Sequence, residues 1–559
     1  MTDPLWWQTG VIYQVYPRSF ADSNGDGIGD LAGITARLDY LVDLGVDAVW
    51  LSPIFPSPMA DFGYDVADYC GIDPRFGTLA DFDALRDAAH ARGLKLLLDF
   101  VPNHSSSEHP WFLESRSSRT NPKRDWYIWR DPAPDGGPPN NWQSFFGGSA
   151  WAWDAATGQY YLHQFLKEQP ELNWRNPDLR AAMLAAMRFW FDRGVDGFRI
   201  DVLWLAIKHP DFPDNPANPD WREGMQDIER LLPAHSADQP EMMKIIAAMR
   251  GVAEDYSERV LIGEIYLPIP RLVAYYGEGG NGVHLPFNFH LLDAAWDAAA
   301  LARLIADYEG ALPADGWPNW VLGNHDKPRV ASRIGPEQAA VAMLLLLTLR
   351  GTPTLYQGDE LGMPNVPIPP DRVRDPQALR EPDTAFNRDE VRTPMPWDAS
   401  AHAGFSSVEP WLPLNPDWAE RNVMAQREAA DSMLALTRAL LQLRRAHPAL
   451  SVGSWHAVSS DGAVLAYERR HGDARVLVAL NLSDAPQTLA LPEWARSLAP
   501  ALTTPPTRHP RAGGDPFASA AGDGAGAFPP MDPRLRGDDG GIVDGAVLPL
   551  APNQGILLA

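Results

Sequence analysis

Gly-Phe-Arg-Ile-Asp-Val, residues 197–202, is a short apolar run that ends at a carboxylate, and its reading decides the fold. Asp-Phe-Val-Pro-Asn-His (99–104) precedes it, and Gly-Glu-Ile-Tyr (263–266) and Gly-Asn-His-Asp (323–326) follow, each ending in acidic or imidazole side chains. Runs of this kind recur along the chain. Strands are expected at Val11–Pro17, Ala48–Pro53, Lys95–Pro102, Gly197–Val202, Leu261–Tyr266, Val283–Phe289, Trp320–Asp326 and Thr354–Glu360, with helix-period segments such as Leu79–Arg92 and Pro177–Arg193 between them. Alternation of strand and helix predicts an α/β fold with a parallel sheet. Eight repeats predict closure into a (β/α)8 TIM barrel, where chemistry collects at the C-terminal strand ends. An open doubly wound sheet would put its site at a single switch point. The motifs here fall at several strand ends.

Working outward, the connection between the third and fourth strands is far longer than a plain loop. Residues 104–175, rich in Trp, Pro, Gly and Asn, read as an inserted subdomain over the barrel mouth, leaving 1–103 and 176–454 for the barrel. Short β-like runs at Ala463–Arg469, Ala474–Asn481 and Gly555–Ala559 predict an antiparallel C-terminal β domain over 455–559. Within it, 499–541 is an Ala/Gly/Pro-rich stretch expected to be poorly ordered and to carry no catalytic part. Its arms, 507–516 and 533–540, can be encoded by complementary codons. That pattern suits a translated palindromic DNA repeat, and an ordinary Gly/Pro-rich linker is the competing reading.

Composition narrows the function classes. The net charge of −25 argues against nucleic acid or an anionic membrane as partner. A single cysteine, Cys70, rules out an intrachain disulfide and suits a reducing compartment. No basic region followed by an apolar core opens the chain, and the longest apolar run, Ala339–Leu349, is too short to span a bilayer, so a cytoplasmic location is expected. The 21 Trp are explained mostly by core packing, with sugar stacking as the alternative use.

The chemistry rests on three carboxylates at successive strand ends, Asp201, Glu264 and Asp326. Strand side chains alternate faces, so Arg199 and Asp201 point into the barrel while Phe198 and Ile200 pack outward. An adjacent arginine is expected to keep Asp201 ionised. Glu264 ends an apolar strand, where desolvation would raise its pKa towards that of a usable general acid. Two carboxyls set apart in this way are the pattern of glycoside hydrolysis, retaining if they lie about 5–5.5 Å apart.

These four blocks resemble the conserved regions of the α-amylase family of glycoside hydrolases, in that family's order. Trp-Trp-Gln-Thr-Gly-Val-Ile-Tyr-Gln-Val-Tyr-Pro-Arg-Ser-Phe (6–20) and Gln-Pro-Glu-Leu-Asn-Trp (169–174) resemble its α-glucosidase and oligo-1,6-glucosidase branch. The resemblance implies Asp201 as nucleophile, Glu264 as general acid/base and Asp326 as the residue gripping sugar hydroxyls. It implies His104, Arg199 and His325 around the terminal glucose, Tyr64 as the stacking aromatic, Asp61 as a hydroxyl ligand, and Arg388 closing the pocket on Asp61. Phe165 and Phe146 are candidates for the pocket wall, and Phe62 stands where the family more often has Asn. Asp22, Asn24, Asp26, the Ile28 carbonyl and Asp30 resemble the family's loop for structural Ca2+ or Mg2+. No organic cofactor is implied.

The expected activity is that of a retaining exo-α-glucosidase on maltose and short gluco-oligosaccharides. Val202 after the nucleophile points to α-1,6 in this branch, but 203–212 departs from the oligo-1,6-glucosidase pattern, and α-1,4 is taken as the expected linkage. A sucrose- or trehalose-acting isomerase or glucosyltransferase on the same scaffold, and more remotely a non-catalytic carbohydrate-binding relative, are the alternatives. Oligomeric state is open.

Overall fold

A computed structural model describes residues 4–504 and 547–559. Eight strands build the main sheet: β1 (Ile12–Val15), β2 (Ala48–Leu51), β3 (Lys95–Phe100), β7 (Gly197–Ile200), β8 (Val260–Gly263), β9 (Leu285–Pro286), β10 (Asn319–Val321) and β11 (Thr352–Tyr356). Between β3 and β7 lie β4 (Trp129–Arg130), β5 (Trp151–Asp154) and β6 (Gln159–Leu162). The main sheet runs in the order β10-β11-β1-β2-β3-β7-β8-β9, with every pairing parallel. A parallel bridge from Asn288 to Trp320 joins the two ends, so the sheet closes into the expected barrel.

The strands coincide with the expected runs and are shorter, because the last residues of each run leave the ladder and carry side chains into the mouth. The run 283–289 keeps only two ladder residues. Alternation sorts the side chains as the sequence pattern requires. Ile12, Trp50, Leu97, Val260, Ile262, Leu285 and Val321 fill the barrel interior. Tyr13, Val49, Leu98, Phe198 and Leu261 pack against the helices outside, where Phe198 meets Phe191 of the helix Pro177–Asp192 at 4.8 Å. Gly197 opens β7 because a Cβ there would stand 2.4 Å from the Val260 carbonyl oxygen of the next strand. That helix is capped by Asn176, whose side chain accepts from the Asp178 and Leu179 N–H groups.

In the inserted segment β4, β6 and β5 form an antiparallel sheet around buried Trp142 and Trp151, with Phe212 from beyond β7. Downstream, β12 (Ser454–Ser459), β13 (Val464–His471), β14 (Ala474–Asn481), β16 (Pro500–Thr503) and β18 (Gly555–Leu558) make an antiparallel sheet. Alongside it β15 (Gln487–Ala490) pairs with β17 (Val547–Leu550). Residues 500–503, expected in the poorly ordered stretch, pair with β18, while 505–541, including both proposed repeat arms, lie outside the described residues. Of two buried arginines near this junction, Arg469 from β13 joins the sheet to the barrel, while Arg444 ties together segments on the barrel side. Arg444 donates to the carbonyls of Leu347, Leu349, Leu450 and Gly351, and Arg469 to those of Thr348, Leu450 and Gly453. Among the described residues no helix is long and apolar enough to cross a membrane.

Candidate active site

At the C-terminal ends of the strands the barrel interior turns from apolar to polar. Arg199, buried in β7, lies at the centre. Its Nη1 donates to Asp201 at 2.7 Å and to the two oxygens of Asp99 at 2.8 and 3.1 Å, and its Nη2 pairs with Glu264 at 2.7 Å. The Val202 N–H donates to the same Glu264 oxygen at 2.8 Å. Val202 has φ +34°, a left-handed conformation rare for a β-branched residue, and strain of this kind concentrates at functional sites. Glu264 is therefore held by a cation and a backbone donor, not left among apolar side chains as its strand suggested.

The arginine does not act on Asp201 alone. Burial pushes Asp201 well up, Arg199 opposes this, and the neighbouring carboxylates of Glu264 and Asp99 add to it. Asp99, likewise buried and likewise restrained by Arg199, is pushed up to about 6. The expectation that Arg199 would simply keep Asp201 ionised is thus corrected. Three carboxyl groups, Asp99, Asp201 and Glu264, share that one guanidinium.

Asp326 has the opposite environment. Burial would raise it, but His325, Arg392 and Arg388 hold it well below the usual carboxylate range. Arg392 reaches its Oδ1 at 2.6 Å, Arg388 stands 3.5 Å from the same oxygen, and His325 Nε2 is 3.1 Å from Oδ2. His325 is itself kept neutral by burial. Its Nδ1 faces the Gln14 amide at 2.8 Å, and its ring stacks on Tyr64, whose hydroxyl lies 2.7 Å from Nε2. The Tyr64 hydroxyl also donates to Asp99 at 3.1 Å.

One side of the cluster comes from the inserted segment and the segment around residue 388. Arg388 pairs with Asp61 at 2.9 Å and with Asp375 at 2.6 Å. Gln169 Nε2 lies 3.3 Å from Asp61 Oδ2 and 3.1 Å from His104 Nε2. Phe165 packs on His104 at 5.1 Å and on Phe146 at 5.8 Å, and the Arg388 guanidinium covers Phe146 at 4.9 Å. All ten expected carboxylate and sugar-contacting positions thus fall in one connected cluster. Sequence reasoning missed four members: Asp99, Gln169, Asp375 and Arg392. The first two lie inside quoted motifs, and Arg392 closes the run Asn-Arg-Asp-Glu-Val-Arg (387–392), whereas Asp375 carries no local signal. Phe62, at φ +48°, lies 5.3 Å from Trp411 with the Arg18 guanidinium against both rings.

The loop 22–30 is folded by successive Asx turns: Asp22 accepts from the Asn24 N–H, Asn24 from Asp26, and Asp26 from Ile28. Asp22 also accepts from Gly25, Gly27 and the Ser406 hydroxyl, and Asp30 from Ser23 and Gly33. The oxygen donors of a cation loop are present. However, no group of three His, Cys, Asp or Glu side chains is gathered as a metal shell among the described residues. Asp22 and Asp30 spend their oxygens on protein donors.

Comparison with known proteins agrees with this geometry. The α-amylase catalytic-domain model matches residues 14–453, and the C-terminal domain model of maltogenic amylase matches 456–508. A probable α-glucosidase of Rhizobium meliloti (strain 1021) is 42% identical over 505 residues, covering 88% of this chain and 92% of that protein. An oligo-1,6-glucosidase of Parageobacillus thermoglucosidasius is 39% identical, again over 88% of this chain and 92% of the relative. Among solved structures, the α-glucosyl transfer enzyme XgtA superposes with a TM-score of 0.88 at 40% identity, over 100% of this chain and 99% of that one. The trehalulose synthase MutB of Pseudomonas mesoacidophila MX-45 superposes with a TM-score of 0.85 at 35% identity, over 99% of each chain. The fold, the carboxylate cluster and these matches agree: the chain belongs to the α-amylase family of glycoside hydrolases.

Proposed function

We propose that this enzyme is a retaining exo-α-glucosidase that releases terminal α-glucose from maltose and short α-linked gluco-oligosaccharides, with α-1,4 preferred over α-1,6. The observation that carries the reading is the single guanidinium of Arg199 bound to both Asp201 and Glu264. Bridging by one planar group supports the short carboxyl separation that retention needs, about 5 Å. In the first step Glu264 protonates the glycosidic oxygen as Asp201 Oδ attacks the anomeric carbon, forming a glucosyl-enzyme and expelling the leaving sugar. In the second, Glu264 takes a proton from water, whose oxygen displaces Asp201, and two inversions give net retention. Asp326, kept ionised by Arg392 and Arg388, suits a residue that accepts from sugar hydroxyls as positive charge develops on the ring. The Arg388–Asp61 pair ties two loops across the cluster, which supports a pocket closed behind one sugar and hence attack at chain ends.

A second reading, glucosyl transfer or disaccharide isomerisation, is favoured by likeness to XgtA and MutB. Incubation with maltose, isomaltose and sucrose, following products and anomeric form over the first minutes, separates the two. α-Glucose from maltose supports hydrolysis at α-1,4. Preference for isomaltose moves the linkage to α-1,6, and transferred or isomerised sugar in place of glucose rejects hydrolysis. Asp201→Asn is expected to abolish turnover without lowering the Tm.

We also propose that Asp22, Asn24, Asp26, the Ile28 carbonyl and Asp30 hold a structural Ca2+ or Mg2+, supported by the Asx turns at alternate positions. Any ion there would stabilise the fold, since no step above needs it. Chelation lowering the Tm, with recovery on adding Ca2+ and no such response in Asp26→Ala, checks this. A cytoplasmic location belongs to the same proposal and rests on the single cysteine.

A further inference from the structure

The chain holds two Asn-Gly pairs, Asn24–Gly25 in the loop 22–30 and Asn281–Gly282 just before β9. An asparagine followed by glycine can close on itself. The glycine nitrogen attacks the asparagine Cγ, and the glycine has no side chain to obstruct the approach. How readily this happens depends on what surrounds the attacking N–H, the amide oxygen and the departing NH2.

At Asn24 the surroundings serve all three. The Gly25 N–H donates to Asp22 Oδ1 at 2.7 Å, so its proton already faces a carboxylate that can take it. Asn24 Oδ1 accepts from the Asp26 N–H at 2.9 Å, a donor placed where negative charge grows on that oxygen as the nitrogen adds. Asn24 is exposed, which gives the departing ammonia a path to water. Asn281 has the same neighbour without this support. The Gly282 N–H donates to the Tyr276 carbonyl at 2.8 Å, and a main-chain carbonyl is no base. Gly282 is also buried and locked in place, because a Cβ there would lie 2.0 Å from the Tyr275 carbonyl oxygen.

We infer that Asn24 is a site of spontaneous covalent modification, cyclising on Gly25 with loss of ammonia and reopening as aspartate or isoaspartate. The Gly25 nitrogen bonds to Asn24 Cγ as its proton passes to Asp22 and then to the amide nitrogen, which leaves as NH3. Water next adds to one carbonyl of the cyclic imide. Opening at the side-chain carbonyl gives aspartate, and opening at the main-chain carbonyl gives isoaspartate, with an extra methylene in the main chain. Asparagine and water become carboxylate and ammonium, and nothing is oxidised or reduced.

The modification acts on a junction. The Asp22 N–H donates to the Phe405 carbonyl at 2.9 Å, the Trp411 N–H to the Gly27 carbonyl at 3.0 Å, and the Ser406 hydroxyl to Asp22 at 2.6 Å. A methylene added between residues 24 and 25 shifts Asp22 against Gly27 and loosens the hold of this loop on 405–411. Only the effect of Ca2+ rests on the cation reading above. An ion bound by Asp22 and Asn24 would draw both oxygens away from the roles described here and slow the reaction.

The test incubates the full chain in mildly alkaline buffer with EDTA or with Ca2+, and in urea as the unfolded reference. The tryptic peptides 19–37 and 272–303 carry the two pairs, and mass spectrometry follows the change from amide to acid in each. In urea the two pairs should react alike. In the folded chain with EDTA, Asn24 should react at least about tenfold faster than Asn281, whose pairing must first open. Isoaspartyl methyltransferase should label peptide 19–37, and the Tm should fall as its modified fraction rises. Asn24→Gln should gain no mass at that residue and hold its Tm over the same time. Asn24 reacting no faster than Asn281 in the folded chain overturns the inference. Conversion of Asn24 that Ca2+ leaves unchanged sinks the cation reading alone and keeps the inference.

Discussion

Arg392→Met is the most informative single perturbation of the Asp326 environment. Arg392 is fully buried, donates to Asp326 at 2.6 Å and to the His325 carbonyl at 2.9 Å, and so grips both the carboxylate and the backbone carrying it. Opposite charges about 4 Å apart interact by about 4 kcal/mol at an effective dielectric near 20. Asp326 keeps 24% of its side-chain surface, and Arg388 remains 3.5 Å away, so part of that energy persists in the variant. About 2–3 kcal/mol is then lost, equivalent to about two pKa units. The sign follows from the depressed pKa: Asp326 is ionised down to low pH in the wild type and would protonate at higher pH in the variant. The expected result is a fall in kcat/KM of roughly 30- to 150-fold near neutrality, with the acidic limb of the pH profile unmoved, because burial keeps Asp201 and Asp99 less acidic than Asp326 even in the variant. The assay is the pH dependence of kcat/KM on an aryl α-glucoside, with the Tm followed in parallel. The bared His325 carbonyl costs about 1–3 kcal/mol of stability. Arg392→Lys, which keeps the charge, should retain most of the profile. A variant that stays folded and whose profile superposes on the wild type refutes the electrostatic role of Arg392.

Two further outcomes follow from buried charges elsewhere. Glu360 accepts from Tyr13 and Tyr40 without a cation, and burial pushes its pKa from 4.5 up to about 7. Folding therefore favours its protonated form, a contribution present in full below about pH 4.5 and lost as pH rises through about 7. Glu360→Gln should raise the Tm relative to the wild type above pH 7, by the equivalent of at most about 3 kcal/mol, and give no gain near pH 4.5; equal gains at both would reject the assignment. Arg444→Met bares the carbonyls of Leu347, Leu349 and Gly351, since Leu450 keeps Arg469, and should cost at least about 3 kcal/mol in denaturant unfolding, with kcat/KM of the folded enzyme unchanged.

Much of the candidate site was legible because it is local. Asp201, Glu264 and the His325–Asp326 pair each end an apolar run, and a parallel sheet buried on both faces announces itself through such runs. Arg199 could be assigned to the barrel interior from a two-residue period alone. The environment of each group was not legible. Glu264 ends an apolar strand, yet it is bound by Arg199 and the Val202 N–H, because the mouth is lined by neighbouring strands as well as its own. Asp201 was expected to answer to one arginine and in fact shares it with Asp99 and Glu264, which stand 102 and 63 positions away in sequence. Asp375 stayed invisible because its partner, Arg388, is defined only once 375 and 388 fold back on each other.

The amino-acid sequence by itself determined the element order, the closure of eight parallel strands, and the identity of the three carboxylates, since periodicity and strand-end chemistry act over a few residues. Only the tertiary structure decided how protons and charges are shared among them. That depends on burial and on distances of about 3 Å between groups far apart in the chain, such as Lys208, Asn103 and Glu171, which no local pattern encodes.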